Sequence, residues 1–269
     1  MRIKLLVAYD GTGFSGWQRQ RAGLPTIQQS LEDAVFRMNG DTASPVWGAS
    51  RTDAGVHAEG QVAVFDTAKT REMCAWISGL NQLTPAAVRV RHAEVVADDF
   101  HPRHASRGKH YRYLIWQGRW VPPALRSHLW QVRPLDIDAM AEGAGYLLGE
   151  HDFSAFRASD CQASSPIRRM HAIGLRILPS PYAAPLAEER GALLALDFWG
   201  SAFLKHMIRI VVGSLVEVGE GRRPAAWVGE VLASRERCLA GRTAVPGGLS
   251  LLEVYFSEAG LAAHSGVVR

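Results

Sequence analysis

One acid stands in the middle of a loop of small residues, Gly48-Ala49-Ser50-Arg51-Thr52-Asp53-Ala54-Gly55-Val56-His57-Ala58-Glu59-Gly60-Gln61. Asp53 has Arg51 two residues before it and His57 four after it. Apolar, β-prone residues flank the loop, Pro45-Val46-Trp47 on one side and Val62-Ala63-Val64-Phe65 on the other. The segment therefore reads as strand, loop, strand. A carboxylate there can be exposed, held by backbone and paired with a cation. An opposite charge within about 4–6 Å keeps such a group ionised. An ionised, oriented carboxylate can act as nucleophile, general base or metal ligand. The plainer alternative is a turn aspartate bonded to its own backbone. His57 has a plain alternative too, as a hydrogen-bond donor that holds the loop.

Two further stretches carry chemistry. Between His101 and Arg112 lie Arg103, Arg107 and Lys109, with histidines at 101, 104 and 110 and no acid. The run leads into Tyr111-Arg112-Tyr113-Leu114-Ile115-Trp116, a strand pattern with interleaved aromatics. Cations that neutralise phosphates, beside rings that stack on bases, are what RNA binding needs. A solvated basic face is the alternative. The histidines lack a cysteine or acid at metal-ligand spacing. Farther on, Phe203, Leu204, Met207, Ile208, Val211, Val212 and Leu215 form an apolar stripe at helical spacing. Lys205 and Arg209, four apart, fall on another face of that helix. Most of the stripe only packs, and Arg209 is the residue there that chemistry would use.

The elements that must position these groups follow from pattern. Ile3 to Tyr9 reads as a buried strand. Gly11, Gly13 and Gly16 fit G-x-G-x-x-G behind it, the fingerprint of a dinucleotide site. That fingerprint needs a helix opening at the glycines, whereas Trp17 to Pro25 is polar loop. The helix starts instead at Thr26, which with Gln29 makes a capping box, and its apolar face is Ile27, Leu31, Ala34, Val35 and Met38. A helix is expected over 71–80, a strand over 88–96, a helix over 136–148 and strands over 167–178 and 191–199. An insert at 179–190, with three prolines, reads as surface loop. A helix over 224–233 and a strand over 249–256 close the chain, and the residues from Ser257 onward read as a frayed tail.

A chain of 269 residues suffices for one large domain or two modest ones. Its formal charge is +4 and its pI about 9.1, compatible with a polyanionic partner. Cys74, Cys161 and Cys238 lie far apart, which argues against a disulfide framework or a zinc site and fits a reducing cytosol. The apolar start of the chain stops at Asp10, too early for a signal peptide. No apolar run approaches the roughly 20 residues of a membrane span. A carboxylate-nucleophile phosphatase would want a second acid and Mg²⁺, and Ser50 to Ala58 offers no second acid.

Arg51-Thr52-Asp53-Ala54-Gly55-Val56-His57 resembles the catalytic loop of the tRNA pseudouridine synthase A family. The resemblance runs from Tyr9 to about Tyr255 with its motifs in order. They are Asp10-Gly11-Thr12 with Gly16-Trp17-Gln18, Asp98-Asp99-Phe100-His101-Pro102-Arg103, Gly149-Glu150-His151-Asp152-Phe153-Ser154-Ala155-Phe156, and Phe203-Leu204-Lys205-His206-Met207-Ile208-Arg209. Ile208 replaces a family valine. The resemblance implies an α+β pseudouridine synthase fold: two related mixed or antiparallel sheet domains, flanked by helices, with a cleft between them. Here they would be 1–105 and 106–256, with a tail at 257–269. It implies isomerisation of uridine in the anticodon stem-loop of tRNA, at positions 38-40, by a cytoplasmic homodimer with no cofactor and no metal. Asp53 would be the nucleophile and Arg209 its ion-pair partner. Tyr111 would stack on the target base and serve as a possible general base. Arg51, with Phe100, His101, Pro102, Arg103 and His104, would contact tRNA phosphates. Asp160, Cys161, Gln162, Ala163 and Ser164 would lie along the bound RNA. A non-catalytic tRNA-binding protein on the same fold is the alternative.

Overall fold

A computed structural model describes residues 1–21, 23–179, 191–262, 264 and 266–268. In chain order the elements are β1 (Arg2–Tyr9), α1 (Ile27–Met38), β2 (Trp47–Gly48), β3 (His57–Asp66), α2 (Met73–Leu83), β4 (Val88–Val96), a single turn α3 (Pro102–Ala105), β5 (Gly108–Gln117), β6 (Trp130–Val132), α4 (Ile137–Gly145), β7 (Gly149–Asp152), β8 (Ile167–Leu178), β9 (Ala192–Gly200), α5 (Met207–Gly219), α6 (Trp227–Ser234), β10 (Leu249–Tyr255), α7 (Glu258–Ala262) and β11 (Gly266–Val268). Contacts divide them into two units. One holds Met1–Arg107 with Ser250–Phe256, and the other Gly108–Leu249 with Ser257–Arg269. The α+β class expected from sequence is what the elements form.

In the first unit β1 lies between β3 and β4, antiparallel to both. Its residues alternate inward and outward, and Ile3, Leu5, Val7 and Tyr9 are buried, as a half-buried strand requires. On its far side β3 pairs with β2, antiparallel, and with β10, parallel through Ser250 and Leu251. Strand β10, expected in the second domain, thus groups with the first unit. Thr26 caps α1, its side chain accepting from the Gln29 N–H at 3.3 Å. The reciprocal half of the box is missing, because the Gln29 amide turns to Asp33 at 2.7 Å. Ile27, Leu31, Ala34 and Val35 are buried as the spacing demands.

In the second unit the sheet runs β11-β8-β9-β5, with β6 beside β5 and β7 beside β8. The long antiparallel pairs are β5 with β9 and β9 with β8. Helix α5 is buried almost all round, from Met207 to Gly219, and packs on α4. The chain after Ser257 is not a tail, since α7 forms and β11 adds to β8 in parallel. The expected loop at 179–190 lies, beyond Pro179, outside the described residues.

Candidate functional site

Asp53 sits half-buried at the apex of the loop between β2 and β3. The Val56 N–H donates to its carbonyl at 3.1 Å and closes a turn there. A second loop, the glycine-rich segment after β1, packs onto it. The Trp17 N–H donates to the Thr52 carbonyl at 3.1 Å, and the Gly55 N–H to the Phe14 carbonyl at 3.3 Å. A Cβ on Gly11 would lie 2.1 Å from the Val56 carbonyl oxygen. At Gly16, whose φ is +91°, a Cβ would lie 2.6 Å from the Thr52 carbonyl oxygen. These glycines are needed for close backbone approach. They brace the Asp53 loop, which accounts for the pattern without a dinucleotide.

His57 opens β3 and is buried. Its Nδ1 lies 3.0 Å from the Gly11 N–H and equally close, at 3.0 Å, to the Asp10 carboxylate. The ring therefore ties the two loops together. Arg51 is exposed beside Asp53. Partial burial, and then the charge of Arg103, hold its guanidinium below the ordinary arginine value. Two like charges this close favour an anion between or beside them.

The Phe100–His104 segment lies in the same unit. Arg2 donates to the Phe100 carbonyl at 2.9 Å, and the Phe100 ring packs on Phe256 with centroids 5.4 Å apart. Pro102 is buried at the first position of α3. The His101 and His104 rings are tilted to each other with centroids 4.4 Å apart, and His101 also meets Trp47 at 6.4 Å. Burial, then the charges of His104 and Arg2, push the His101 imidazole down. Arg103 and His104 are exposed, so they, with Arg51 of the acid loop, offer charge or donors to a ligand, while Phe100 and Pro102 hold the turn.

In the second unit Tyr111 and Tyr113 share a face of β5. Tyr111 is 5 % exposed and meets Phe203 edge-on, 5.3 Å between centroids. Tyr113 is fully buried and donates to the Val245 carbonyl at 2.7 Å. Burial pushes its phenol far up, with Arg209 and Arg242 pulling the other way. Arg209 thus lies near Tyr113, two residues along β5 from Tyr111. Its Nε donates to the Ala244 carbonyl at 2.8 Å, and its own carbonyl accepts from the Ala244 N–H at 3.0 Å. Ala244 thus holds both the main chain of Arg209 and its guanidinium.

One expectation about this helix needs correcting. Phe203, Leu204 and Lys205 are not in α5, which starts at Met207 after His206 turns the chain with a φ of +62°. Lys205 shares no helical face with Arg209. It pairs with Asp160 at 2.5 Å, and this hydrogen bond holds the Asp160 carboxyl below its usual range. The segment Asp160–Ser164 is further pinned by Arg157, which donates to the Cys161 carbonyl at 2.5 Å. Gln162 and Ser164 are exposed, and the Cys161 side chain points inward.

Two groups escaped the sequence reading. Gln61 was counted as the end of the loop, yet it is wholly buried and bonded to Ser50. Asp197 lies within the strand expected over 191–199. It is 1 % exposed, receives Arg112 Nε at 2.8 Å and His110 Nε2 at 2.7 Å, and has Arg176 Nε at 3.4 Å. Arg112, read as part of a phosphate-facing run, is thereby engaged inside the protein. The one sequence signal was polarity out of place: Gln61 before four apolar residues, and an acid inside Ala192–Gly200.

Residues 5–104 and 144–257 match the family model described as tRNA pseudouridine synthase. Asp53, Asp160–Ser164 and Arg209 fall inside those spans, and Tyr111 falls between them. A "tRNA pseudouridine synthase A" of Myxococcus xanthus is 48% identical over 258 residues, covering 96% of this chain and 92% of the relative. Proteins of the same name are 43% identical in Alcanivorax borkumensis, over 96% of this chain and 92% of the relative, and in Pseudomonas aeruginosa, over 95% and 85%. With the braced Asp53 loop, the buried tyrosines and the backbone-held arginine in family order along nearly its whole length, this chain belongs to the tRNA pseudouridine synthase family.

Proposed function

We propose that the protein isomerises uridine to pseudouridine in tRNA, in the anticodon stem-loop at positions 38-40, with Asp53 as nucleophile. The N1–C1′ bond breaks, the uracil turns, and C5 bonds to C1′. The proton on C5 leaves and N1 regains one, so nothing is consumed. Asp53 attacks the nucleoside at C1′ or at C6. Arg209 is the ion-pair partner that aims the Asp53 carboxylate, as a charge-assisted hydrogen bond does. The target base leaves its stack at a cost of a few kcal/mol, offset by stacking on Tyr111 and by backbone contacts. The Tyr111 phenolic oxygen helps remove the C5 proton late in the reaction. Arg51 and the Phe100–Lys109 stretch take phosphates, and Asp160–Ser164 follows the RNA strand. The protein acts as a cytoplasmic homodimer without cofactor or metal, so EDTA is expected to leave turnover unchanged.

The observation that supports this reading best is Asp53 itself, half-exposed in a loop braced by a second loop, within a chain akin to pseudouridine synthases over nearly its full length. Asp53→Asn tests it. Tritium release from C5-labelled uridine in tRNA should vanish while tRNA binding persists. Wild-type release from that variant would remove Asp53 as nucleophile.

A further inference from the structure

Strand β2 ends at Gly48, whose Cα lies opposite Ala63 of β3. The ladder goes one residue further, the Ala49 N–H donating to the Val62 carbonyl at 2.8 Å. At Ser50 the backbone partner is replaced by a side chain. The Ser50 N–H donates to Gln61 Oε1 at 3.2 Å, and Gln61 Nε2 donates to the Ser50 carbonyl at 2.7 Å. The amide copies a peptide group and makes the next rung itself. The loop backbone is thereby held at Ser50 while being released from the sheet toward Asp53.

The contact continues through buried oxygen atoms. Gln61 Nε2 faces Tyr9 Oη at 3.5 Å, a weak contact, and Tyr9 Oη lies 2.8 Å from Thr52 Oγ1. Gln61 is 0 % exposed, Tyr9 4 % and Thr52 7 %. A buried amide is costly unless hydrogen-bonded, and β3 continues as Val62-Ala63-Val64-Phe65. Packing alone would take leucine or methionine at position 61. The polar side chain is explained by what it holds, residues 50 and 52 on either side of Arg51 and directly before Asp53.

We propose that Gln61 is a positioning residue for Asp53, acting through paired hydrogen bonds to Ser50 and through Tyr9 to Thr52. The inference rests on Asp53 being the nucleophile. Removing the amide leaves the loop in place on average but lets its apex wander.

The test compares Gln61→Glu, Gln61→Met and Asp53→Asn with the wild type, by kcat and KM for tritium release, tRNA binding and thermal unfolding. A neutral carboxylic acid offers one donor and one acceptor, as the amide does toward Ser50, and a carboxylate offers no donor. Burial raises a carboxyl pKa. Tyr9 is the ionisable side chain in hydrogen-bond contact with the position, and wild-type pH effects cancel in the ratio. At about pH 8, kcat of Gln61→Glu should fall about 100-fold, the scale of a 1 Å misplacement, with KM and tRNA affinity nearly unchanged. Toward about pH 6 its ratio to wild type should climb as the carboxyl takes up its proton, while that of Gln61→Met stays low. A ratio that does not change with pH, an unchanged kcat, or a loss shared equally by KM would overturn the proposal. Should Gln61→Glu fail to fold, Tyr9→Phe decides: it keeps the ring and should lower kcat up to about tenfold, the worth of one hydrogen bond, and a normal kcat overturns the proposal. An active Asp53→Asn would sink the nucleophile reading. An inactive Asp53→Asn beside normal Gln61 variants would sink this inference alone.

Discussion

Gly16 and Thr52 meet main chain to main chain, so closely that a Cβ on Gly16 would sit 2.6 Å from the Thr52 carbonyl oxygen. The glycine also holds a φ of +91°, where L side chains are strained. Thr52 is the residue before Asp53. The glycine loop and the acid loop are therefore one mechanical object, and the space between them has been spent on rigidity.

Gly16→Ala should destabilise the protein by about 1–3 kcal/mol through strain and displacement. It should also lower kcat on the order of 100-fold by moving the Asp53 backbone. Gly13 is the control. Its φ is +79° but a Cβ there meets nothing within 4 Å, so Gly13→Ala should show strain without the rate loss. Urea unfolding and single-turnover kinetics read the two effects separately. Equal rates for the two variants would show that the contact with Thr52 does not matter to catalysis.

How much of this was legible in the sequence follows from the range of the interactions. Strands β4 and β8 were read to the residue, Val88–Val96 and Ile167–Leu178, because their limits are set by local pattern and flanking breakers. The start of α1 was read because Thr26 caps it from one turn away. The start of α5 was missed. Apolar spacing runs through Phe203 and Leu204, yet the chain reverses at His206, a left-handed residue that carries no glycine to announce it. The Gln61–Ser50 rung joins residues eleven apart in no periodic pattern. Asp197 gathers its cations from β5 and β8, so its role depends on sheet order. The acid that would do chemistry was visible. The groups that hold things still were not.

Tyr111 separates stacking from proton transfer. The ring is packed edge-on against Phe203, so Tyr111→Phe keeps its shape and loses only the hydroxyl. tRNA affinity should persist while turnover falls about 10²- to 10⁴-fold, the usual contribution of a positioned base. Accumulation of an enzyme–RNA adduct in rapid-quench experiments would locate the lost step after attack. Turnover close to wild type would confine Tyr111 to stacking.

Arg51 and Arg103 repel each other in the free protein. A phosphate nearby relieves that repulsion, so each should count in the salt dependence of tRNA binding. Arg51→Ala and Arg103→Ala should each reduce the slope of log affinity against log salt by about 1. Stability without RNA should move by no more than about 0.5 kcal/mol. Binding titrations over a range of ionic strength measure the slope. An unchanged slope in both variants would remove this patch from the RNA path.

Asp197 sits opposite Arg112 in the β5–β9 register and is shared with His110 and Arg176. Burial pushes its carboxyl up, but the hydrogen bonds from His110 and Arg112 and the charge of Arg112 outweigh burial, and the group ends below the ordinary value of 3.8. A carboxyl depressed in the folded state stabilises the fold fully above its unfolded pKa and loses that contribution as pH falls through the lower folded pKa. Asp197→Asn leaves Arg112 facing an amide. Because Arg112 and Arg176 are 23% and 52% exposed and can turn to water, the cost should lie at the lower end for a broken buried pair, about 3 kcal/mol. Measured by urea unfolding, the gap between wild type and variant should not shrink from about pH 7 to pH 5. It should narrow only below 3.8, where the unfolded chain has taken up its proton. A gap already closing between those two pH values would mean that the carboxyl is not held down by its cations.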